Sequence, residues 1–482
     1  MRLAPFRSVG CVVSMLLLMP AYRLTAQPAD TTVFTAAQFY EVVTQYHPLV
    51  RQAALFGDEA RQEIVQARGA FDPKLFSYYD RKEFNNDLYY ARWGSGLAVP
   101  ILPGGLDLKI TYDRNQGKYL NPEERVPSTG LTGVGINVPI GQGLLIDDRR
   151  NALRQARLFT TLADADRRKL VNKTLFDAAK TYWEWYLAHR QYQLVREGYG
   201  LADTRFRALR QRALLGDAAI IDTTEALITV QDRLVQLQQA EVDQQNARLR
   251  LTAFLWGADG QAVDMPATVV PQSAPVTQMD ETVLQTYLDR AAEAHPELIK
   301  LATKGQQLVI EERFRRAMLQ PQINLSASLI SRTPSADTSY PIRDYYRFRP
   351  EDHKITVDFV FPLFLRKERG KLRQVQIKAE QLTLERQQTG RDIAADVRTA
   401  YNDLQTLDRQ IAVQQQTVAN QRTLVRAEQQ KFEMGESSLF LVNSRESKLI
   451  DVGVKLEELR TKYQKAVATL WYVAGTNGTG VN

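Results

Sequence analysis

Histidines, cysteine and paired carboxylates are the side chains best able to do chemistry, and this sequence uses them sparingly. The histidines are His47, His189, His295 and His353. None has a second histidine or a carboxylate three or four residues away, the spacing that puts two metal ligands on one helix face. Two of them head a repeated His-Pro pair, which reads as a helix-start element. Asp147-Asp148 and Glu311-Glu312 could form acid–base couples, but both fall in long helical stretches, where carboxylates are ordinarily solvated. The sequence holds no phosphate loop, dinucleotide fingerprint or nucleophile elbow. It therefore predicts no catalytic group, no cofactor-binding site and no metal site, and a protein that is not an enzyme.

With no chemistry to position, the elements themselves must carry the function. A chain of 482 residues, 44% hydrophobic and 24% charged, can bury a core. Arg2 and Arg7 precede an apolar run from Val12 to Met19, and Leu24-Thr25-Ala26 has the small-residue pattern of a cleavage site. Residues 1–26 read as a signal peptide cut after Ala26. An uncleaved anchor is the alternative, but the run falls short of the ~20 apolar residues that span a bilayer, and Pro20 ends it. Cys11 lies in that segment, so the mature chain would have no thiol or disulfide. Losing Arg2, Arg7 and Arg23 lowers the net charge from +7 to +4 (7 − 3), a mixed-charge surface that gives no reason to expect a nucleic-acid partner. No later stretch is long and apolar enough for a membrane helix, so a membrane could be entered only as a β-barrel. An exported chain with alternating strands fits the outer membrane of a Gram-negative cell.

The mature sequence is a duplication. His47-Pro48 is echoed by His295-Pro296 at a shift of 248 (295 − 47), which also pairs Ala54, Gly57, Glu63, Arg68 and Pro73 with Ala302, Gly305, Glu311, Arg316 and Pro321. Further on the shift becomes 219 (372 − 153): Leu153-Arg154-Gln155 meets Leu372-Arg373-Gln374, Tyr182 meets Tyr401 and Gly216 meets Gly435. The first copy is thus 29 residues longer (248 − 219) between these landmarks. The expected domains are a first repeat over 27–260, a linker at 261–280 marked by Pro266, Pro271 and Pro275, a second repeat over 281–475 and a tail at 476–482. Each repeat opens with one predicted helix, 36–68 or 281–319. Strands follow, at about 75–138 and 323–361. Leu106, Leu108, Ile110 and Tyr112 alternate with polar residues, as do Val134, Ile136 and Val138, Ile323 to Leu329, and Ile355 to Phe361. Tyr78, Tyr79, Tyr89, Tyr90, Trp93, Tyr340, Tyr345 and Tyr346 lie near these runs and would suit a membrane interface. Helical hairpins then occupy about 147–256 and 367–471. The latter carries a heptad seam through Leu449, Val452, Leu456, Leu459, Tyr463, Ala466 and Leu470. Neither hairpin can bury both its flanks, and the strands are too few to close a barrel, so copies must be pooled.

These features together resemble the TolC-like outer-membrane efflux family. The likeness rests on Gly69-Ala70-Phe71-Asp72-Pro73-Lys74-Leu75, on Val138-Pro139-Ile140 and Val360-Phe361-Pro362-Leu363 ahead of the two Leu-Arg-Gln starts, and on the turns from Leu215 to Asp222 and from Met434 to Leu439. It covers essentially the whole mature chain. The resemblance implies a mixed, mainly α fold: a homotrimeric twelve-stranded outer-membrane barrel, about four strands per chain, continued by a periplasmic α-helical coiled-coil barrel. It implies an exit duct of a tripartite efflux or type I secretion system, working with a periplasmic adaptor and an inner-membrane pump. The outer end would be surrounded by outer-membrane lipid.

The hairpin tips are the expected periplasmic entrance and adaptor-docking site, comprising Gly216, Asp217, Asp222, Glu225, Gly435, Glu436, Leu441, Ser444 and Arg445. In the family, acids six and nine positions after the second-copy glycine narrow the entrance. Those positions here are Leu441 and Ser444, and the first copy carries the acids instead, as Asp222 and Glu225. Arg445, Glu433 and Glu436 are candidate partners for closing bonds. The rival to the duct is a periplasmic coiled-coil adaptor or structural protein without a membrane barrel, against which the alternating strands and paired hairpins both argue.

Overall fold

A computed structural model of the chain describes residues 32–101, 103–276, 279–334 and 346–477. The predicted signal peptide, Cys11, Tyr340, Tyr345 and most of the predicted tail lie outside the described residues.

Each repeat opens with two helices where the sequence suggests one. They are α1 (Ala36–Tyr46) and α2 (Pro48–Arg68) in the first copy, and α5 (Glu281–Ala294) and α6 (Pro296–Ala317) in the second. The break is the His-Pro pair. Proline offers no N–H and pushes the residue before it out of the helical region, so His47 and His295 are extended, at ψ 133° and 127°. Each histidine then caps the second helix, its Nδ1 accepting from the N–H of Leu49 or Glu297 at 3.2 Å. Burial holds both imidazoles below their ordinary pKa range, which favours the neutral, accepting form.

A short parallel pair, β1 (Thr32–Phe34) with β6 (Val269–Pro271), ties the chain's start to the linker. The main sheet comprises β2 (Lys74–Phe84), β3 (Asp87–Ile101), β4 (Leu106–Gln116), β5 (Leu131–Gly141), β7 (Gln322–Arg332) and β8 (His353–Val360). They lie in that order with every neighbour antiparallel, and β5–β7 joins the two repeats. The described sheet thus has six strands, not about four. The sequence hides β2 and β3 because tyrosines crowd both faces and Gly94, Gly96 and Pro100 interrupt the alternation. Their hairpin turns at Asn85-Asn86, both with positive φ, as a two-residue loop requires.

Register carries one apolar face across all six strands. Leu75 faces Leu97, Leu97 faces Ile110, Ile110 faces Val134, Val134 faces Leu329, and beside them lie Ile355, Val357 and Phe359. Leu75, Ile110, Ile136, Ile355, Val357 and Phe359 are exposed, the reverse of a soluble sheet and the pattern of a lipid-facing one. The opposite face carries Arg92, Lys109, Thr111, Asp113, Asn137, Ser326, Thr356 and Asp358. Tyr79 and Trp93 pair on the apolar face toward the end away from the helices, where Trp93 meets Tyr112 edge-on at 5.5 Å, and Tyr89 sits at the register shift opposite Lys82 and Glu83. Tyr78 and Tyr90 lie on the polar face, and Tyr346 stacks on Phe348 beyond the strands.

The hairpins are α3 (Asp148–Leu214) with α4 (Ile220–Thr252) and α7 (Arg366–Glu433) with α8 (Leu439–Val473). At 1.5 Å per residue the 67 residues of α3 extend about 100 Å. Val397, Leu404, Ile411 and Val418 recur every seven residues along α7 and are buried against the α8 seam, and Val425, a further seven residues on, is also buried. α3 packs on both α4 and α8, so the two hairpins form one sheet of helices, while α2 and α6 brace its barrel end. In the first copy the middle of this wall is aromatic, with Phe39, Tyr182, Trp183, Trp185 and Tyr186 buried together. No described helix is long and apolar enough to cross a membrane.

Candidate functional site

The side chains with chemical potential are held in structural roles. Asp147 caps α3 by accepting from the Arg150 N–H at 2.8 Å. Glu311 accepts from Asn151 and Gln155, each at 2.8 Å, and Glu312 pairs with Arg316. His189 lies between Gln193 and Gln244, below its ordinary pKa range through burial. Among the described residues no three metal-binding side chains cluster.

The distinctive surface is at the far end of the hairpins. Gly216 (φ 83°) and Gly435 (φ 79°) end their helices in the left-handed conformation that favours glycine. The next residues close the same six-residue bond in both copies: Asp217 N–H donates to the Arg212 carbonyl and Glu436 N–H to the Lys431 carbonyl, each at 2.9 Å. Beyond the turns the copies diverge. Ser438 caps α8, accepting from Leu441 N–H at 3.4 Å, whereas Ala219 gives α4 no side-chain cap. Asp222 sits in the first turn of α4, where a carboxylate favours the exposed N–H groups. Leu214, Leu215, Ile220, Ile221, Met434 and Phe440 are all exposed, an apolar patch at the very tips.

Of the predicted site residues, Glu225, Ser444 and Arg445 come together, lining a groove of about 780 Å³ between α4 and α8. Arg445 faces Glu428 of its own hairpin at 3.9 Å. The glycines, Asp217, Asp222, Glu436 and Leu441 stay on the exposed turns and first helical turns.

Sequence reasoning missed a polar network just above the tips. Arg205 on α3 pairs with Glu446 on α8 and donates to Asn443 at 2.9 Å, and Asn443 donates to Thr229 on α4 at 3.1 Å. Arg233 on α4 is buried and donates to Ser447 at 2.7 Å. Gln429 on α7 also donates to Glu446, at 2.9 Å. One buried carboxylate therefore ties both hairpins together. The available signal was Glu446 itself, a charge directly beside the seam between Val442 and Leu449.

The long hairpins thus run from a sheet with an exposed apolar face at one end to exposed apolar tips at the other. Residues 287–476, most of the second repeat, match the model of the outer membrane efflux protein family. That stretch carries the family's signature. No curated protein sequence matches the chain. Its fold is similar to that of the Campylobacter jejuni CmeC outer membrane channel, at 13% identity and TM-score 0.62 over 97% of this chain and 95% of that one. It is also similar to the open state of the Neisseria gonorrhoeae MtrE outer membrane channel, at 13% identity and TM-score 0.66 over 92% and 89%. The Vibrio cholerae outer membrane protein VceC is comparable, at 13% identity and TM-score 0.62 over 92% and 96%. The matched family is that of outer membrane efflux proteins, and the solved structures that share this fold include outer membrane channels.

Proposed function

We propose that the chain assembles as a homotrimer and serves as the exit duct of a tripartite efflux or type I secretion system, receiving its cargo from an inner-membrane pump through a periplasmic adaptor. The observation that carries this reading is the outer flank of α4. Ile228, Val235, Val242 and Leu249 recur every seven residues there and are all exposed, a coiled-coil seam that the other described residues leave open. A neighbouring copy would cover it and close the wall. The first repeat, 27–260, and the second, 281–475, joined by the 261–280 linker, would then form adjacent staves. The two tips would make up the periplasmic entrance and the adaptor's landing surface: Gly216, Asp217, Asp222 and Glu225 from the first, and Gly435, Glu436, Leu441, Ser444 and Arg445 from the second.

Three measurements test this. Native mass in mild detergent is expected to give three chains, and a monomer would refute the assembly. Replacing Val235 and Val242 with Asp is expected to dissociate the trimer without unfolding the chain. Cell fractionation separates the duct from a periplasmic adaptor: recovery in the soluble periplasm without detergent would favour the adaptor.

A further inference from the structure

The duplication identifies which strands are extra. Moving β7 back by 248 residues lays Gln322–Arg332 on Lys74–Phe84, which is β2. Moving β8 back by 219 lays His353–Val360 on 134–141, within β5. β2 and β5 are therefore the first repeat's equivalents of β7 and β8, and β3 and β4 have no counterpart among the described residues of the second.

These two strands are inside the sheet, not beside it. β3 pairs with both β2 and β4, and β4 with β5, so β2 and β5 never touch. Both obey the polarity of the rest: Trp93, Leu97, Val99, Leu108 and Ile110 fall on the apolar side, Arg92, Lys109 and Asp113 on the polar side. The turn between them is fastened to the base of α3. Arg149 donates to Asp107 at 2.8 Å and to the Gly105 carbonyl at 3.4 Å, with its guanidinium 5.7 Å from the Phe71 ring. A loop hairpin lying on the surface would need no such fastening.

The outermost strands, β2 and β8, each have one neighbour, and every residue of both is exposed in the single chain. Such edges cannot stay open in hydrocarbon, where unpaired backbone groups find no water. Because six antiparallel strands alternate in direction, β8 of one copy runs opposite to β2 of the next. Both strands also carry an apolar row, Leu75 and Tyr79 in β2 and Ile355, Val357 and Phe359 in β8. We propose that β2 of each copy pairs with β8 of the next, each chain contributing six strands, so that a trimer closes an eighteen-stranded barrel (3 × 6) instead of a twelve-stranded one. The copy number rests on the trimer reading above; the six strands per chain do not. Barrel diameter grows roughly linearly with strand number, so at equal tilt the outer-membrane exit is about one and a half times as wide.

The test uses the full protein in lipid nanodiscs, with native mass giving the number of chains and electron cryomicroscopy the number of strands. Eighteen strands from three chains are expected. Twelve from three chains would overturn the proposal while leaving the trimer intact. A different number of chains with six strands each would overturn the trimer and uphold the strand assignment. Disulfide trapping tests the interface separately. Leu75→Cys combined in turn with Ile355→Cys, Val357→Cys or Phe359→Cys should give crosslinked dimers and trimers, and failure of every combination would refute the β2–β8 contact. Leu97→Cys and Ile110→Cys should each resist a membrane-impermeant maleimide, whereas labelling of both from water would mean that β3 and β4 leave the barrel.

Discussion

Position for position at the shift of 219, Trp183, Trp185 and Tyr186 of the first hairpin correspond to Asn402, Leu404 and Gln405 of the second, while Tyr182 keeps its counterpart in Tyr401. Lower down, exposed Leu227 corresponds to buried Glu446, so an apolar residue faces out in one copy where a carboxylate faces in on the other. The difference follows from what surrounds each helix. α8 is packed between α7 and α3, so polar residues flanking its seam find partners inside the chain. α4 covers chiefly α3, and its remaining flank shows apolar residues to whatever lies beyond. The repeats keep one backbone plan and divide the labour, the second hairpin holding the chain together and the first turning outward.

The aromatic block gives the most forceful way to break this comparison. Trp185 is fully buried, and around it Tyr182 donates to the Phe34 carbonyl at 2.7 Å while Tyr186 bonds Glu457 at 2.5 Å, its phenol pushed up to about 12 chiefly by burial. Trp185→Ala is expected to cost about 4 kcal/mol and Leu404→Ala about 3 kcal/mol, because the larger cavity lies where the N-terminal strand and linker also pack. Denaturant unfolding of the two variants checks it, and equal losses would mean the aromatic block is no stronger than its aliphatic counterpart. Next in size is the buried pair. Glu446→Ala leaves Arg205 without its carboxylate and is expected to cost about 3 kcal/mol. Leu227→Ala, its counterpart in the repeat, should cost less than about 1 kcal/mol in the isolated chain. The double variant Arg205→Met with Glu446→Met should recover most of the loss, which separates an uncompensated charge from lost packing.

How far these features could be read without coordinates depends on the period of the signal. The hairpins were legible because their seams repeat over many turns and no proline interrupts them. The tips were legible because Gly216 and Gly435 recur at the repeat distance. The split at His47-Pro48 was visible as a motif, yet the apolar pattern runs through it, so periodicity alone gave one helix. Strands β2 and β3 were obscured because their aromatic residues lie on both faces, and only pairing with β4 shows which face each takes. The network around Glu446 joins residues more than two hundred positions apart, and no local pattern encodes that.

The caps offer a smaller and more symmetrical test. Ser438 caps α8 and Ala219 leaves α4 uncapped, so Ser438→Ala should lose about 1 kcal/mol and Ala219→Ser gain a similar amount. Hydrogen exchange at the first amides of α4 and α8 would read both changes locally. If Ala219→Ser left the α4 amides unchanged, the first turn of α4 would already be held by something other than its cap.

The smallest expected effect concerns the acids that distinguish the tips. Asp222 and Glu225 occupy the first-copy positions equivalent to Leu441 and Ser444, so charge at the entrance would come from α4 and not from α8. Both carboxylates are partly exposed, where a pair of unit charges 4 Å apart interacts by only ~1 kcal/mol in water. Salt screens the interaction further, over about 8 Å at physiological ionic strength. Asp222→Asn with Glu225→Gln should therefore weaken block of single-channel current by divalent cations by no more than about fivefold, and the difference should shrink as monovalent salt rises. Leu441→Asp with Ser444→Glu, which places the charges on the second tip instead, should strengthen that block. An unchanged block in the first variant and a strengthened one in the second would put the narrowest part of the entrance at α8, with the acids of α4 facing away from the passage.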